Sequence, residues 1–329
     1  MEERLSRDGP PARMPRPSPF LRRIAFLAGL PLLSSPGCSI RKMAVNTLGD
    51  ALASSGGVFA SDDDVELVGD AIPFGLKTYE SLLAESPEHR GLLLAAASGF
   101  AEYAYAYVQD EADRLDATDL ARARELRARA RRLYLRARNY ALRGLEVAHP
   151  GFSEALRRDT RAALETTAKD DVPFLYWAGA SWAGALTAAK DNLDLLADLP
   201  TAGDLVKRVL ALDEGFASGA AHEFMISYEG SRPEAMGGSP ARARAQYRRA
   251  LEISRGLRAS VHLALAEAVT IREQNLPEFR RLIAAALAVD PEAAPEQRLA
   301  NTIARRRALR LESRIQELFV EADDRKETL

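Results

Sequence analysis

Four phrases recur along the chain, "LLAESPEH", "LEVAHPGF", "LALDEGF" and "LAVDPEA", ending near Pro87, Pro150, Glu214 and Pro291. Each reads as an apolar helix end followed by residues that stop a helix. Repeated helix ends commit the chain to helical hairpins, because a helix with one apolar stripe has to bury it against a neighbour. From about Val45 onwards Gly and Pro fall mostly in short connections, and no run alternates apolar and polar residues for long enough to make a sheet. In "ARARELRARARRLYLRARNYALRGL" the apolar positions Leu126, Ala130, Leu133, Ala137 and Tyr140 follow one helix face. The expected fold class is all-α.

Spacing within these stretches resembles the tetratricopeptide pattern: a small residue, a large apolar one four later, a small one three later, then Pro. Counting back from the helix ends gives Tyr79 and Leu82, Leu142 and Leu145, Val206 and Val209, and Ile283 and Ala286. The clearest copy is "ARAQYRRALEIS", with Ala243, Tyr247 and Ala250 in the three slots. Before it, Ser239 can cap the helix, and Pro240 suits the first turn, where its missing N–H has no partner to lose. The third slots fall at 82, 145, 209, 250 and 286, intervals too uneven for a regular array of roughly 34-residue units. Degenerate hairpins stacked as an α-solenoid over residues 61–320, with a tail at 321–329, are therefore expected. Arg138 and Phe279 stand in slots that favour small residues.

At the N-terminus, Arg22 and Arg23 precede "IAFLAGLPLL", Ile24 to Leu33, then Ser34, Ser35 and Gly37 lead to Cys38, the single cysteine. An apolar run this short cannot span a bilayer, which takes about 20 residues. Basic flank, short apolar core and small residues before the cysteine read as a secretory signal over residues 1–37. The arrangement resembles the bacterial lipoprotein signal, which implies lipidation of Cys38. Three acyl chains would hold the membrane firmly where one holds marginally. Residues 38–60 would then be the anchor and a linker or short helix. Ser35 replaces the customary Leu and Pro36 is unusual, so an ordinary signal peptide or an unprocessed tail stays open, as does a start at Met14. Ser39 rather than Asp after the cysteine resembles lipoproteins released to the outer membrane.

Composition excludes several classes. The first 37 residues hold six Arg and three acids, leaving 39 basic against 44 acidic residues beyond them, which argues against a nucleic-acid partner. One cysteine leaves no internal disulfide framework. His89, His149, His222 and His262 are widely separated and lack metal-ligand spacing, so neither metal nor cofactor is expected. No Gly-rich phosphate loop, nucleophile elbow or paired His–acid motif is present, and "HEFMISY" lacks the second histidine of a zinc helix. Catalysis is not expected.

Two aromatic clusters stand out: "GFAEYAYAYV", with Phe100, Tyr103 and Tyr107 on one helix face and Tyr105 elsewhere, and "PFLYWAGASWAG", with Tyr176, Trp177 and Trp182. Aromatic walls with polar tips suit a ligand or partner cleft, and equally an ordinary core. Gly99, Gly179 and Gly184 would let helices approach closely or leave room for a ligand. Between Ala121 and Arg143 stand nine Arg against one Glu, after the acidic loop "DEADRLDATD". These arginines form a face balanced by nearby carboxylates, or a basic docking stripe.

The segments "SPARARAQYRRALEIS" and "LALAEAVTIREQNLPEFRRLIAAALAVDPEAAPEQRLANTIARRRALRLESRIQELF", with "YESLLAESPEHRGLLLAAASGFAEYAYAYV" and "PFLYWAGASWAGAL" before them, resemble the T-component family of tripartite ATP-independent periplasmic (TRAP) transporters. The resemblance covers roughly residues 38 to 320. It implies a periplasm-facing lipoprotein, anchored through Cys38, that associates with the transporter's substrate-binding protein and holds or hands over a small organic ligand. Self-association into a homo-oligomer is left open. The alternative is a tetratricopeptide-type scaffold for envelope assembly.

Overall fold

In a computed structural model, the described residues are 37–53, 56–188 and 197–320, all helix or connection, with no strand among them. The signal segment 1–36, the side chain of Cys38 and the tail 321–329 lie outside the described residues. Residues 1–41 and 42–329 divide into separate units, and the helix stack belongs to the second.

Helix α1 (Gly37–Ala53) is followed by a short turn of helix, Gly56–Ala60, and by α2 (Val65–Glu85). Then come α3 (Arg90–Tyr103), which continues through the wider π turn Ala104–Gln109 into Asp110–Leu115, and the long α4 (Leu120–Ala148). Two short helices, α5 (Phe152–Arg158) and α6 (Thr160–Glu165), lead to α7 (Val172–Thr187) and α8 (Leu199–Leu212). The remainder comprises α9 (Ala220–Gly230), α10 (Pro240–Ser254), α11 (Ala259–Leu265) with the π turn Ala266–Thr270, α12 (Leu276–Ala288), α13 (Arg298–Ser313) and α14 (Ile315–Leu318).

The repeated phrases mark the ends of alternate helices: α2, α4, α8 and α12 stop at Glu85, Ala148, Leu212 and Ala288. Every slot pair counted from the sequence lies on this set, with α10 carrying Ala243 and Ala250, and Leu145, Val206, Val209, Ile283 and Ala286 are buried. Caps follow the chemistry of the sequence. Ser239 Oγ accepts from the Arg242 amide at 3.2 Å, and Asp64, Asp119 and Asn275 do the same for α2, α4 and α12. Phe279, in a slot that favours a small residue, is wholly buried with its ring 4.9 Å from Phe319.

The helices α3, α7, α9, α11 and α13 form one set, in which α3 packs on α7, α9 on α11 and α11 on α13. Each helix of the other set fills the groove between two of these: α4 between α3 and α7, α8 between α7 and α9, α10 between α9 and α11, α12 between α11 and α13. The last groove is filled from the start of the chain, since α2 packs on α3 and touches α13. The stack therefore closes on itself, and α3, α7, α9, α11 and α13 turn one face toward the interior.

Two apolar clusters run through the stack, one from Leu76 on α2 to Tyr228 on α9, the other from Ile226 to Phe319. A third, with Ala104, Val108, Leu126, Tyr134 and Ala185, sits under the π turn of α3. Helices meet through small residues at the tightest joints. A Cβ on Gly179 would lie 2.7 Å from Val206, and one on Gly184 2.7 Å from the Tyr134 ring, so these glycines admit neighbouring helices rather than leaving space.

Candidate functional site

The inward face is set by two π turns. An extra residue in a helical turn rotates the side chains that follow, and such turns recur at functional positions. In α3 the π turn carries Tyr105, and in α11 it carries Glu267. Arg307 of α13 reaches both: its Nε and Nη2 donate to Glu267 at 2.6 and 2.8 Å, and its Nη1 donates to the Tyr105 hydroxyl at 3.1 Å. Burial disfavours the Arg307 charge, but Glu267 and Tyr105 outweigh it and hold the guanidinium protonated well above its ordinary range. For Tyr105, Arg307 favours the phenolate, while desolvation and the charges of Glu267, Glu223 and Asp110 hold the hydroxyl above its usual value.

Around this triad stand further groups from the surrounding helices. Arg258 donates to Glu223 at 2.7 Å, Arg310 pairs with Asp110, and Arg127 lies 3.8 Å from Asp113, whose carboxyl burial pushes up. Arg258 also donates to the carbonyl of Ala217, fixing a loop in which Ala217 and Ser218 take left-handed φ of 45° and 55°. Such backbone is costly for residues with a Cβ and gathers at functional positions. Phe216 of that loop packs 5.3 Å from Tyr176, whose hydroxyl is raised by desolvation and by the charges of Glu223 and Glu102. Tyr105 is 47% exposed, and Glu102 is also exposed, yet surrounding protein desolvates both. These side chains stay exposed while feeling charges carried by α3, α9, α11 and α13, so the groups share one inward-facing cluster.

Glu102 differs from the other carboxyls there, because no guanidinium meets it among the described residues and desolvation pushes its carboxyl up to about 7. A carboxyl raised in the folded state costs stability once it ionises. That cost sets in as pH rises past the ordinary value of 4.5 and is complete above about 7. Glu102→Gln is therefore expected to be more stable than wild type at pH 8 and equal to it near pH 4, measured by urea unfolding at both. A difference that did not change with pH would mean that Glu102 is fully hydrated.

Of the aromatic residues picked out in the sequence, Phe100 is 3% exposed and stacks on Tyr140 in the core at 5.9 Å. Tyr103 stacks on Tyr107 at 5.5 Å, and the Tyr107 ring fills the space beside Gly69 on α2, its hydroxyl pushed up to about 12 by burial. Tyr176 meets Trp177 edge-on at 5.1 Å, next to the interior. Trp182 points instead to α4, where Arg138 covers its ring at 4.7 Å. The six do not form one wall: Tyr176 joins the inward cluster, with Trp177 against it, whereas Phe100, Tyr103, Tyr107 and Trp182 pack between helices. Glu102, Tyr105, Glu267 and Arg307 were not singled out as site residues. Only the order of the helices around the closed stack brings them together.

The arginine-rich helix is largely spent on packing. Arg129 covers Tyr103, Arg136 covers Phe100 at 5.0 Å and reaches Glu80 at 2.5 Å, Arg143 covers Tyr140, and Arg127 meets Asp116 of the acidic loop at 2.8 Å. The histidines are tethers: His89 caps α3, His149 meets Asp171 at 2.7 Å, His222 sits between Gln246 and Glu214, and His262 meets Tyr247 at 2.9 Å. An open external cleft of about 490 Å³ lies between the end of α4 and α6, lined by His149, Phe152, Arg158 and Thr166.

The cluster thus combines paired charges, aromatic edges and, among the described residues, one carboxyl that no guanidinium meets. Residues 61–319 match the family model described as TRAP transporter T-component. An uncharacterized protein of Treponema pallidum (strain Nichols) is 29% identical over 317 residues, covering 91% of this chain and 98% of its own length. The family match runs from the connection before α2 to the residue after α14 and so takes in every helix of the closed stack, which makes the chain a member of the TRAP transporter T-component family.

Proposed function

We propose that the protein is a lipid-anchored accessory subunit on the periplasmic side of the envelope, which binds the substrate-binding protein of a TRAP transporter and passes it a small organic ligand held inside the helix stack. Membership of a transport family carries the first part of this reading. The enclosed cluster of Glu102, Tyr105 and Tyr176 beside the Arg307 triad supports the second. Attachment is through Cys38, which follows a basic flank, a short apolar run and small residues, and outer-membrane placement follows from Ser39; no helix among the described residues is long and apolar enough to cross a membrane. Trp177 and Tyr176, side by side at the interior, are the aromatic residues of choice for ligand contact.

One experiment tests the anchor and the partner. The Cys38→Ser chain is expected in the soluble periplasmic fraction, while the wild type sediments with membranes. Immobilised, it should retain the purified substrate-binding protein of its own transporter in a pull-down. Sedimentation of the variant with membranes would remove the anchor, and loss of the substrate-binding protein in the wash would remove the partner. Recovery of envelope assembly factors in its place would favour the tetratricopeptide-type scaffold.

A further inference from the structure

Neighbouring helices in the stack are joined by clusters of buried apolar side chains, except at the place where its two ends meet. Leu76 and Leu83 of α2 pack with Leu92, Leu93 and Ala96 of α3 in one cluster, and Ala304, Ala308 and Leu311 of α13 pack with Phe279 and Ile283 of α12 in another. No cluster of the described residues contains both α13 and α2 or α3. Charge joins them instead. Arg306 pairs with Glu66 of α2, Arg310 with Asp110, and Arg307 with the Tyr105 hydroxyl, while Arg298 donates to the carbonyl of Ser61 at 2.9 Å. Leu67 and Leu309, next to the pairing residues, stay 59% and 51% exposed, so closure does not bury them.

We propose that this seam is a latch: α13 separates from α2 and α3 as a unit when its ion pairs are lost, opening the interior sideways without unfolding either apolar cluster. Exposed ion pairs contribute little and are screened by salt, whereas apolar joints carry no charge to screen. The Arg306–Glu66 pair is the exposed one, at 50% and 71%, and the Arg310–Asp110 pair is the sheltered one, at 20% and 19%. The seam is thus the joint of the stack most sensitive to ionic strength or to a partner that competes for Glu66 and Asp110. Arg307 is the pivot, since it holds Glu267 on its own side of the seam and Tyr105 across it. The latch goes beyond the transport reading and survives its failure, because its test measures the stack alone.

The test is a spin-label distance measurement on the full chain with Cys38→Ser, labelled at Asp70→Cys on α2 and Leu309→Cys on α13, both exposed positions. At low salt a single narrow distance is expected. At 1 M NaCl, where the screening length falls to about 3 Å, a second population should appear, longer by about 10 Å, the width of one helix. Arg306→Ala with Arg310→Ala should show that population already at low salt, and Glu66→Arg with Arg306→Glu should return the narrow distance. Circular dichroism checks that helix content is kept. An unchanged distance at 1 M salt in the labelled protein, which needs no seam variant, would overturn the latch, as would salt that broadened the distance only with loss of helix.

Discussion

Asp171→Ala is expected to cost about 2–4 kcal/mol of folding stability, from the general penalty for removing one partner of a buried ionic group. The carboxylate is 4% exposed and ties three parts of the chain together. It accepts from Arg90 at the start of α3 at 3.0 Å, pairs with His149 at the end of α4 at 2.7 Å, and accepts from the Ala168 amide at 3.0 Å, just before α7. Without it the Ala168 amide and the His149 ring lose their acceptor. Arg90, 36% exposed, rehydrates, which keeps the loss below the upper end of the range for buried pairs. The penalty depends on pH in a definite direction. Burial alone would raise the carboxyl, but the Ala168 amide, His149 and Arg90 outweigh it and hold it below the ordinary value. A depressed carboxyl contributes its full stabilisation above the ordinary carboxylate range and loses it as pH falls through the folded value. Urea unfolding should therefore show the variant well below wild type at pH 7, with the two curves converging in acid. A gap that persisted unchanged to low pH would assign the effect to shape rather than charge.

Helix ends were the most legible part of this chain because they are local. An apolar run stopped by Ser-Pro, His-Pro, Asp-Glu-Gly or Asp-Pro carries its own reason, and α2, α4, α8 and α12 stop where those phrases predict. Ser239 and Pro240 likewise act within a few residues of themselves. Closure of the stack was not legible, since it depends on Arg306 meeting Glu66 and Arg310 meeting Asp110 across some 200 residues or more, and single charged residues on helices are too common to signal a particular pairing. Both π turns escaped for a different reason. A 3.6-residue periodicity places Tyr105 away from Phe100, Tyr103 and Tyr107 but does not reveal the wider turn or its destination, and "AYAYVQ" and "AEAVT" carry no Gly or Pro to mark a departure from regular helix. For the arginine-rich helix, composition left packing and docking open, and the rings beneath Arg129, Arg136, Arg138 and Arg143 show how much of that charge serves packing.

Gly144→Ala should destabilise the protein although alanine is the better helix former, and the sign makes the experiment informative. In an open helical position the change gains roughly 0.5–1 kcal/mol. Gly75 is such a position, in the interior of α2 with nothing near a Cβ, so Gly75→Ala should show that gain. At Gly144, by contrast, a Cβ would fall 2.0 Å from Cε1 and 2.3 Å from Cδ1 of Phe174, at the joint where α4 meets α7. Phe174 is 4% exposed, and Arg90 covers its ring at 4.9 Å, so the ring cannot swing aside without uncovering the guanidinium that meets Asp171. Overpacking of this kind costs about 1–3 kcal/mol, enough to outweigh the propensity gain. Phe174→Leu removes the colliding ring edge, and the double variant should lose less than the two single losses added together, the mark of a direct contact. Strict additivity in the thermal midpoints would mean that α4 and α7 part by moving as bodies. In that case the cost would spread along the joint toward Gly184 and Tyr134, and Gly184→Ala should then no longer add to Gly144→Ala.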